Sequence, residues 1–341
     1  MSRSRILACL GVVVLVSSCG GGGSTPSGPS TPPVPTYTVN ATVFYDENAN
    51  GVLDANEAVR VPNVEVVIGT GTGRSQPGSG VATVTGIEEG ASTANLRTES
   101  IPPYFQPLGA VPISVPAQTE VRIPLTLPIG TNGANVYLGY GDSITYGDGS
   151  ADGQGYALKL QNLLGPHFGR AQVQKFGRPG TNSAEGLSRI AVWLRNFRPA
   201  YVLILYGTND WQDQTCQRSS PAACFTLDSL GGMVDTARDV NTLPVLATII
   251  PVNPAKAPEG RNLWLDDMNT RIKALAQAKQ VPLADLNAEM RAAGSLPMLF
   301  ADDVHPNDAG YQAIAQGWFK AITRSRSAAS SSRGRFGFAL P

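Results

Sequence analysis

Asn135-Val-Tyr-Leu-Gly-Tyr-Gly-Asp-Ser-Ile-Thr145 decides the fold, because an apolar run leads there directly into a glycine turn and a polar loop. Four similar apolar runs follow, and each alternates with a stretch of helical periodicity. Such alternation indicates a parallel sheet covered by helices on both faces. We therefore expect residues 134–324 to form a three-layer α/β/α domain. The five apolar runs are Val136–Gly139, Ala171–Phe176, Tyr201–Tyr206, Pro244–Ile250 and Val281–Leu286.

The preceding segment, residues 37–130, has a different pattern. Its runs, such as Tyr37–Tyr45 and Val61–Ile68, alternate in polarity and are rich in β-branched and aromatic residues. Turns rich in Gly, Pro and Ser separate them, and no amphipathic helix is evident. We predict a smaller all-β domain here, an antiparallel sandwich.

Composition excludes several classes of function. The 341 residues contain 26 Lys and Arg against 26 Asp and Glu, so the formal net charge is zero. A nucleic-acid binder would show a basic excess. Two histidines and four cysteines are too few for a multi-histidine or cysteine-rich zinc site.

The first residues indicate export. Arg3 and Arg5 precede an apolar run, Ile6–Val16, which is too short for a membrane-spanning helix and suits a signal peptide over residues 1–18. Leu15–Cys19 resembles the end of a bacterial lipoprotein signal, which implies that Cys19 is acylated and anchors the protein at the outer membrane or the cell surface. The alternative is an ordinary secretory signal with a chance cysteine.

Residues 19–36 are rich in Gly, Ser and Pro and are expected to act as a tether, and residues 325–341 as a disordered tail. After export two cysteines besides Cys19 remain, Cys216 and Cys224. An oxidising compartment favours a disulfide between them, and two free thiols are the alternative.

A loop of the β domain has the pattern of a calcium site. Residues 46–57 place side-chain oxygens at loop positions 1, 3, 5, 9 and 12, a glycine at 6 and a backbone carbonyl at 7. Its strand-like surroundings resemble the calcium-binding B-type repeats of bacterial surface proteins, which implies a stabilising Ca²⁺. The alternative is an Asn/Gly-rich hairpin without an ion. The candidate ligands are Asp46, Asn48, Asn50, Val52, Asp54 and Glu57.

Four polar segments of the α/β domain are expected to meet. Residues 141–145, 177–180 and 207–210 each follow an apolar run, and residues 302–306 precede the last helical stretch. The carboxyl ends of parallel strands line one crevice, so segments far apart in sequence converge there.

These segments contain what acyl transfer needs. Ser143 requires a base to become a nucleophile, and His305 is the candidate base. Asp302 lies one turn before His305 and can orient its ring, although Asp303 is an alternative. Gly180 and Asn209 can donate hydrogen bonds to an oxyanion. We expect His167, the other histidine, to be an exposed turn residue.

Neighbouring residues have less specific roles. Asp142 and Asp210 are expected to hold their loops by hydrogen bonds. Trp211 either lines the substrate pocket or packs.

Together, GDSIT at Ser143, the glycine at 180, GTND at Asn209 and DDVHP at His305 resemble the SGNH (GDSL-type) esterase/lipase superfamily over about residues 135–323. The resemblance implies a flavodoxin-like sheet and a Ser143–His305–Asp302 triad. It also implies an oxyanion hole formed by the Ser143 and Gly180 amides and Asn209. One departure is Lys175, where the superfamily often has Asn.

We therefore expect an exported, lipid-anchored serine esterase that hydrolyses short-acyl carboxylic esters, with acetylated carbohydrate among its candidate substrates. No metal or organic cofactor is expected in the chemistry. The alternative is a lysophospholipase- or thioesterase-type acyl hydrolase, and a remote one is a non-catalytic surface-binding protein. The expected partners are an ester substrate and, through Cys19, a membrane; nucleic acid is not expected.

Overall fold

The computed structural model describes residues 34–117, 120–218 and 223–325, without the side chains of 217 and 218. From Pro35 onward the described residues form one compact unit. The signal segment 1–18, Cys19 and nearly all of the tether and of the tail lie outside the described residues. No helix in the described ranges combines the length and the hydropathy that crossing a bilayer requires.

The N-terminal part of this unit, the β module (residues 36–126), contains two four-stranded sheets. One has the strand order β4-β1-β8-β6 and the other β3-β2-β5-β7. Their inward faces share one apolar core, as a sandwich requires. The expectation of a purely antiparallel arrangement was wrong, because β1 pairs with β8 in parallel. The strands are β1 (Thr36–Tyr45), β2 (Glu65–Ile68), β3 (Gly71–Arg74), β4 (Val81–Glu88), β5 (Gly90–Leu96), β6 (Gln106–Pro107), β7 (Val111–Val115) and β8 (Val121–Thr126).

The remaining strands form the predicted parallel sheet. Its order, β10-β9-β11-β12-β13, is the doubly wound order of flavodoxin-like folds, and every pair is parallel. The strands are β9 (Gly133–Gly141), β10 (Gln172–Gly177), β11 (Pro199–Leu205), β12 (Leu243–Ala247) and β13 (Leu283–Ala284).

Helices cover both faces of this sheet. Along β11, Tyr201, Leu203 and Leu205 face the core shared with α2, α7 and α8, whereas Val202 and Ile204 face the core shared with α3, α5 and α6. This alternation gives the three layers predicted from the sequence. The helices are α1 (Ser143–Tyr146), α2 (Ala157–Phe168), α3 (Ser183–Phe197), α4 (Gln214–Arg218), α5 (Thr226–Asp239), α6 (Arg261–Ala278), α7 (Leu286–Ala293) and α8 (Asp308–Thr323).

Two local expectations differ from the structure. The apolar run Val281–Leu286 is a strand over only two residues, because Asp285 caps a helix that begins at Leu286 by accepting a hydrogen bond from the Ala288 amide. His167 is not an exposed turn residue. Helix α2 continues to Phe168, and the His167 side chain is buried against Phe168 and Phe319.

Among the described residues, hydrogen bonds join the β module to the α/β part at two places. The Arg60 and Gly78 amides donate to the carbonyls of Phe168 and His167, which end helix α2. The Tyr104 hydroxyl donates to the Pro244 carbonyl near the start of β12. The second contact lies at the amino ends of the parallel strands, which leaves their carboxyl ends open for a site.

Candidate active site

Ser143 lies just beyond the end of strand β9, which pairs with β10 on one side and with β11 on the other. Across the sheet, Gly141 pairs with Gly177 of β10 and with Leu205 of β11, so the segments that follow all three strands start at the same edge. A side chain at residue 141 would lie 2.4 Å from the Leu205 carbonyl oxygen, so glycine is needed there. Ser143 is the first residue of α1.

The Ser143 hydroxyl contacts a histidine from the other end of the domain. His305 Nε2 lies 2.9 Å from Ser143 Oγ, although the two residues are 162 positions apart. His305 Nδ1 lies 2.7 Å from Asp302 Oδ2. This arrangement lets Asp302 fix the ring with Nε2 free to accept a proton.

Asp302, and not Asp303, therefore faces the ring. Its other oxygen accepts hydrogen bonds from the His305 amide at 2.7 Å and the Val304 amide at 2.9 Å. Partial burial acts to raise the pKa of Asp302, but these hydrogen bonds outweigh it and hold the pKa below its usual value. The Asp303 carboxylate instead lies 3.9 Å from the Arg261 guanidinium.

The candidate oxyanion donors lie on the loops after β10 and β11. Gly180 has a φ of +76°, which favours glycine, and the residue is exposed. The Asn209 side-chain amide donates to the Thr181 carbonyl at 2.9 Å, and within the described part of the chain its second amide hydrogen has no acceptor. Thr181 follows Gly180 directly, so this bond ties the two loops together.

Asp210 holds the Asn209 loop against helices α3 and α5. Its fully buried carboxylate accepts hydrogen bonds from the Ser183 amide, the Ser183 hydroxyl and the Thr226 hydroxyl. Burial raises the pKa of Asp210, and these hydrogen bonds limit the rise. The predicted loop-fixing contacts are therefore present at this residue.

Asp142 holds the loop that carries Ser143, which it directly precedes. Its Oδ1 accepts a hydrogen bond from the Ile144 amide at 2.9 Å and so caps α1. The side chain is fully buried, and none of the described residues forms a hydrogen bond with Oδ2.

Comparison with known proteins agrees with this geometry. The family model of the GDSL-like lipase/acylhydrolase family matches residues 140–313, just over half of the chain. The chain belongs to the GDSL-like lipase/acylhydrolase family. It is accordingly a carboxylic ester hydrolase. A search of curated proteins finds no match.

Several solved structures are similar to this acylhydrolase. A GDSL-like lipase from Bacteroides thetaiotaomicron is 22% identical, with a TM-score of 0.44, and the match covers 55% of this chain and 87% of that one. A lipolytic protein of the G-D-S-L family from Desulfitobacterium hafniense is 17% identical (TM-score 0.45; 55% and 99%). A variant of an acetyl-xylooligosaccharide esterase from Geobacillus Stearmophilus is 20% identical (TM-score 0.46; 56% and 95%).

The acylhydrolase departs from the superfamily pattern at Lys175, and the structure shows what this lysine contacts. Its ammonium donates to the carbonyls of Tyr146, which ends α1, and of Gly153. It also lies 5.1 Å from the centre of the exposed Tyr146 ring. Lys175 therefore ties β10 to the helix that carries Ser143.

Trp211 and the two cysteines lie beside the Asn209 loop. Cys216 and Cys224 form the predicted disulfide. The Trp264 indole donates to the Cys216 carbonyl, and Trp211 meets Trp264 edge to face. Trp211 therefore packs at least partly against the acylhydrolase core.

Sequence reasoning missed two residues that hold the site together. Asn253 contacts the segment that carries Asp302 and His305 twice. Its backbone amide donates to the Asp303 carbonyl, and its side-chain amide donates to the Asp302 carbonyl. The buried Arg261 donates to the Thr208 carbonyl. Asn253 follows the fourth strand, so the strand-end argument applied to Ser143 could have found it, whereas Arg261 begins a helix and carried no such signal.

The loop with the calcium pattern folds back on itself. Asp46 accepts hydrogen bonds from the Asn50 and Gly51 amides, and Glu57 accepts from the Glu47 and Asp54 amides. Asp46 and Glu57 are buried, whereas Val52 is exposed. Within the described ranges, no three His, Cys, Asp or Glu side chains are grouped so that they could hold a metal ion.

Proposed function

We propose that this acylhydrolase is an exported, lipid-anchored serine esterase that removes short acyl groups, with acetylated carbohydrate among its substrates, through an acyl-enzyme at Ser143. The observation that carries the chemistry is the unbroken contact from Ser143 Oγ through His305 to Asp302. A serine, an imidazole and a carboxylate in this order form an activated nucleophile.

In the first half of the reaction, Ser143 Oγ bonds to the ester carbonyl carbon while His305 Nε2 takes the hydroxyl proton. The carbonyl electron pair moves onto oxygen, where the Ser143 and Gly180 amides and the Asn209 side chain are proposed to donate. When the tetrahedral adduct collapses, the bond to the alcohol oxygen breaks and His305 returns the proton to that oxygen. Asp302 stabilises the imidazolium between these two events.

In the second half, water replaces the alcohol. His305 takes a proton from water as the water oxygen bonds to the acyl carbon. Collapse of this second adduct breaks the bond to Ser143 Oγ, which regains its proton from His305. The carboxylic acid leaves, and the enzyme is restored without any net change of its groups.

A polar loop beside His305 supports the short-acyl preference. Residues 147–155 are Gly-Asp-Gly-Ser-Ala-Asp-Gly-Gln-Gly, with no apolar side chain larger than alanine. A Cβ added at Gly149 would lie 3.1 Å from the His305 Cβ, so this loop lies directly against the catalytic segment. It offers hydrogen-bonding groups to a sugar and little apolar surface to a long acyl chain.

Replacing Ser143 with alanine tests the chemistry. We expect hydrolysis of p-nitrophenyl acetate to fall by at least about 10³-fold with an unchanged melting temperature. Thr145→Ser, a conservative change of a hydroxyl that bonds Tyr156, is the control and should keep most of the activity. Full activity of S143A would reject the mechanism, and an inactive wild-type protein would favour the surface-binding alternative.

The substrate class is tested by rates on esters from acetyl to palmitoyl and on acetylated xylo-oligosaccharides. A steep fall of kcat/KM beyond butyryl supports the proposal. Faster turnover of lysophospholipids or acyl thioesters would support the alternative acyl hydrolase instead.

The anchor is proposed from the sequence alone. Replacing Cys19 with serine should move the protein from the membrane fraction of the expressing bacterium to the soluble exported fraction. An unchanged membrane fraction for C19S would contradict lipidation at this residue.

We also propose a stabilising Ca²⁺ in the loop 46–57. The donor set supports it, because the carboxylates and amides suit a hard cation. Asp46 and Glu57 are buried, and no ion pair to either carboxylate is found in the described part of the chain. Burial, together with the charge of Glu57, raises the pKa of the neighbouring Glu47.

Added Ca²⁺ should therefore raise the melting temperature of the metal-free protein, and Mg²⁺ should do so less. The variant Asp54→Asn should weaken the response, whereas the distant variant Asp235→Asn should not. No Ca²⁺ response in the wild-type protein would favour the hairpin without an ion.

A further inference from the structure

Asp142 is a buried carboxyl beside the nucleophile that takes no part in the proton transfers between Ser143 and His305. Asp142 precedes Ser143, its side chain is fully buried, and among the residues that the structure describes only Oδ1 has a hydrogen-bond partner. An Asn or a Ser would cap α1 equally well without bringing a carboxyl into the core. A buried carboxyl with an unsatisfied oxygen is costly, so a contribution to the site is expected to offset that cost.

The surroundings of Asp142 show what its charge acts on. Asp142 directly precedes Ser143, whose Oγ lies 2.9 Å from His305 Nε2, so the buried carboxyl and the imidazole lie on either side of the nucleophile. His305 acts to lower the pKa of Asp142, and Asp210 acts to raise it. Arg261 is a buried cation that interacts electrostatically with Asp142. Among the described residues, three buried phenols interact with the same carboxyl: Tyr156, Tyr206 and Tyr311.

We propose that Asp142 is a positioning residue of the reaction: one oxygen caps α1, and the charge of its buried carboxylate stabilises the imidazolium that His305 becomes when it takes the Ser143 proton. Asp302 contacts His305 Nδ1 directly. Asp142 acts from the other side of the nucleophile, as the residue that precedes Ser143. The inference deepens the proposed function and rests on its Ser143–His305 mechanism.

This contribution depends on pH in a defined direction. Burial, together with repulsion by Asp210, raises the pKa of Asp142 to about 7, and the hydrogen bond from Ile144 and the attraction of His305 limit the rise. Below that pH the carboxyl is neutral and resembles an asparagine. Above it the carboxylate is charged, so its effect on His305 appears only there.

The test compares Asp142→Asn and Asp142→Ser with the wild-type protein from pH 5.5 to 9. Both variants keep a cap on α1 and lose the charge. We expect kcat/KM of each variant to match the wild-type value within about twofold at pH 5.5 and to fall about five- to tenfold below it at pH 8.5. The loss should appear in kcat, because the imidazolium exists only after binding.

Asp308→Asn is the matched control. It also removes a negative charge, three residues after His305, but that carboxylate is 50% exposed and solvent screens it. The kcat/KM of this control variant should stay close to the wild-type value at every pH. A purely structural role of Asp142 would instead lower activity by the same factor across the pH range, and that result would overturn the inference.

A measurement without substrate completes the test. The infrared spectrum of the wild-type protein should contain a buried carboxylic-acid band at pH 6 that disappears by pH 8 and is reduced in D142N. Absence of such a band from the wild-type protein overturns the inference even if neither variant folds. If S143A is inactive and the kcat/KM of D142N relative to wild type does not change with pH, this inference alone is rejected. If S143A is active, the proposed function is rejected.

Discussion

The two histidines of this acylhydrolase lie in opposite surroundings. His305 is 23% exposed at the carboxyl ends of the strands, and both of its ring nitrogens have polar partners, Asp302 and Ser143. His167 is 8% exposed at the end of helix α2, and its ring meets Phe168 and Phe319 edge to face. Its Nε2 is buried, and no hydrogen-bond partner for it is found in residues 34–117, 120–218 and 223–325.

The difference shows that the environment and not the residue type decides whether an imidazole can carry a proton. Burial among aromatic rings lowers the pKa of His167 to about 4, because the charged form would lose its hydration. His305 has a carboxylate to stabilise its charged form. His167 instead fills space at the joint where the Gly78 amide of the β module donates to its carbonyl.

The largest expected effect separates the two histidines by activity. His305→Ala should lower kcat/KM by at least about 10³-fold, because Ser143 loses its base. His167→Phe should change it less than about twofold. Steady-state hydrolysis of p-nitrophenyl acetate measures both, and a comparable loss of activity in the two variants would break the distinction.

The second effect separates them by acid stability. The pKa of His167 is lowered on folding, so its contribution to stability is complete above the unfolded pKa of about 6.5 and is lost as the pH falls towards about 4. Between pH 8 and pH 4.5, the free energy of unfolding of His167→Phe should therefore fall by about 2 kcal/mol less than that of the wild-type protein. Urea unfolding at pH 8 and pH 4.5 measures it, and an identical loss in the variant and the wild-type protein would contradict the assignment.

The smallest effect uses two glycines of nearly the same conformation, one in each region. Gly78 has φ +73° and Gly180 has φ +76°. Alanine at either position should lower the free energy of unfolding by about 1 kcal/mol, because both backbones lie in the left-handed region. A Cβ at Gly78 also meets the Pro166 carbonyl at 3.2 Å, so Gly78→Ala should cost slightly more.

Activity should respond differently in the same two variants. Gly180→Ala should lower kcat about tenfold, since it displaces the amide proposed for the oxyanion hole. Gly78→Ala should leave kcat unchanged. Equal kcat in both variants would argue against a catalytic role for the Gly180 amide.

The sequence by itself determined the parallel sheet and the convergence of its polar loops. Apolar runs that alternate with helical stretches permit few topologies, and parallel strands bring their carboxyl ends to one edge. Ser143 and His305 could therefore be placed together from their positions after and before regular elements. The calcium pattern, Cys19 and the domain boundaries remain predictions.

The tertiary structure decided what local patterns cannot encode. It chose Asp302 over Asp303, buried His167, and left Asp142 with an unsatisfied oxygen beneath the nucleophile. Residues far away in the chain decide whether a polar group is solvated, hydrogen-bonded or buried without a partner. Phe319, for example, packs against His167. Desolvation and hydrogen-bond geometry exist only after these elements have packed, and they set the electrostatics of the site.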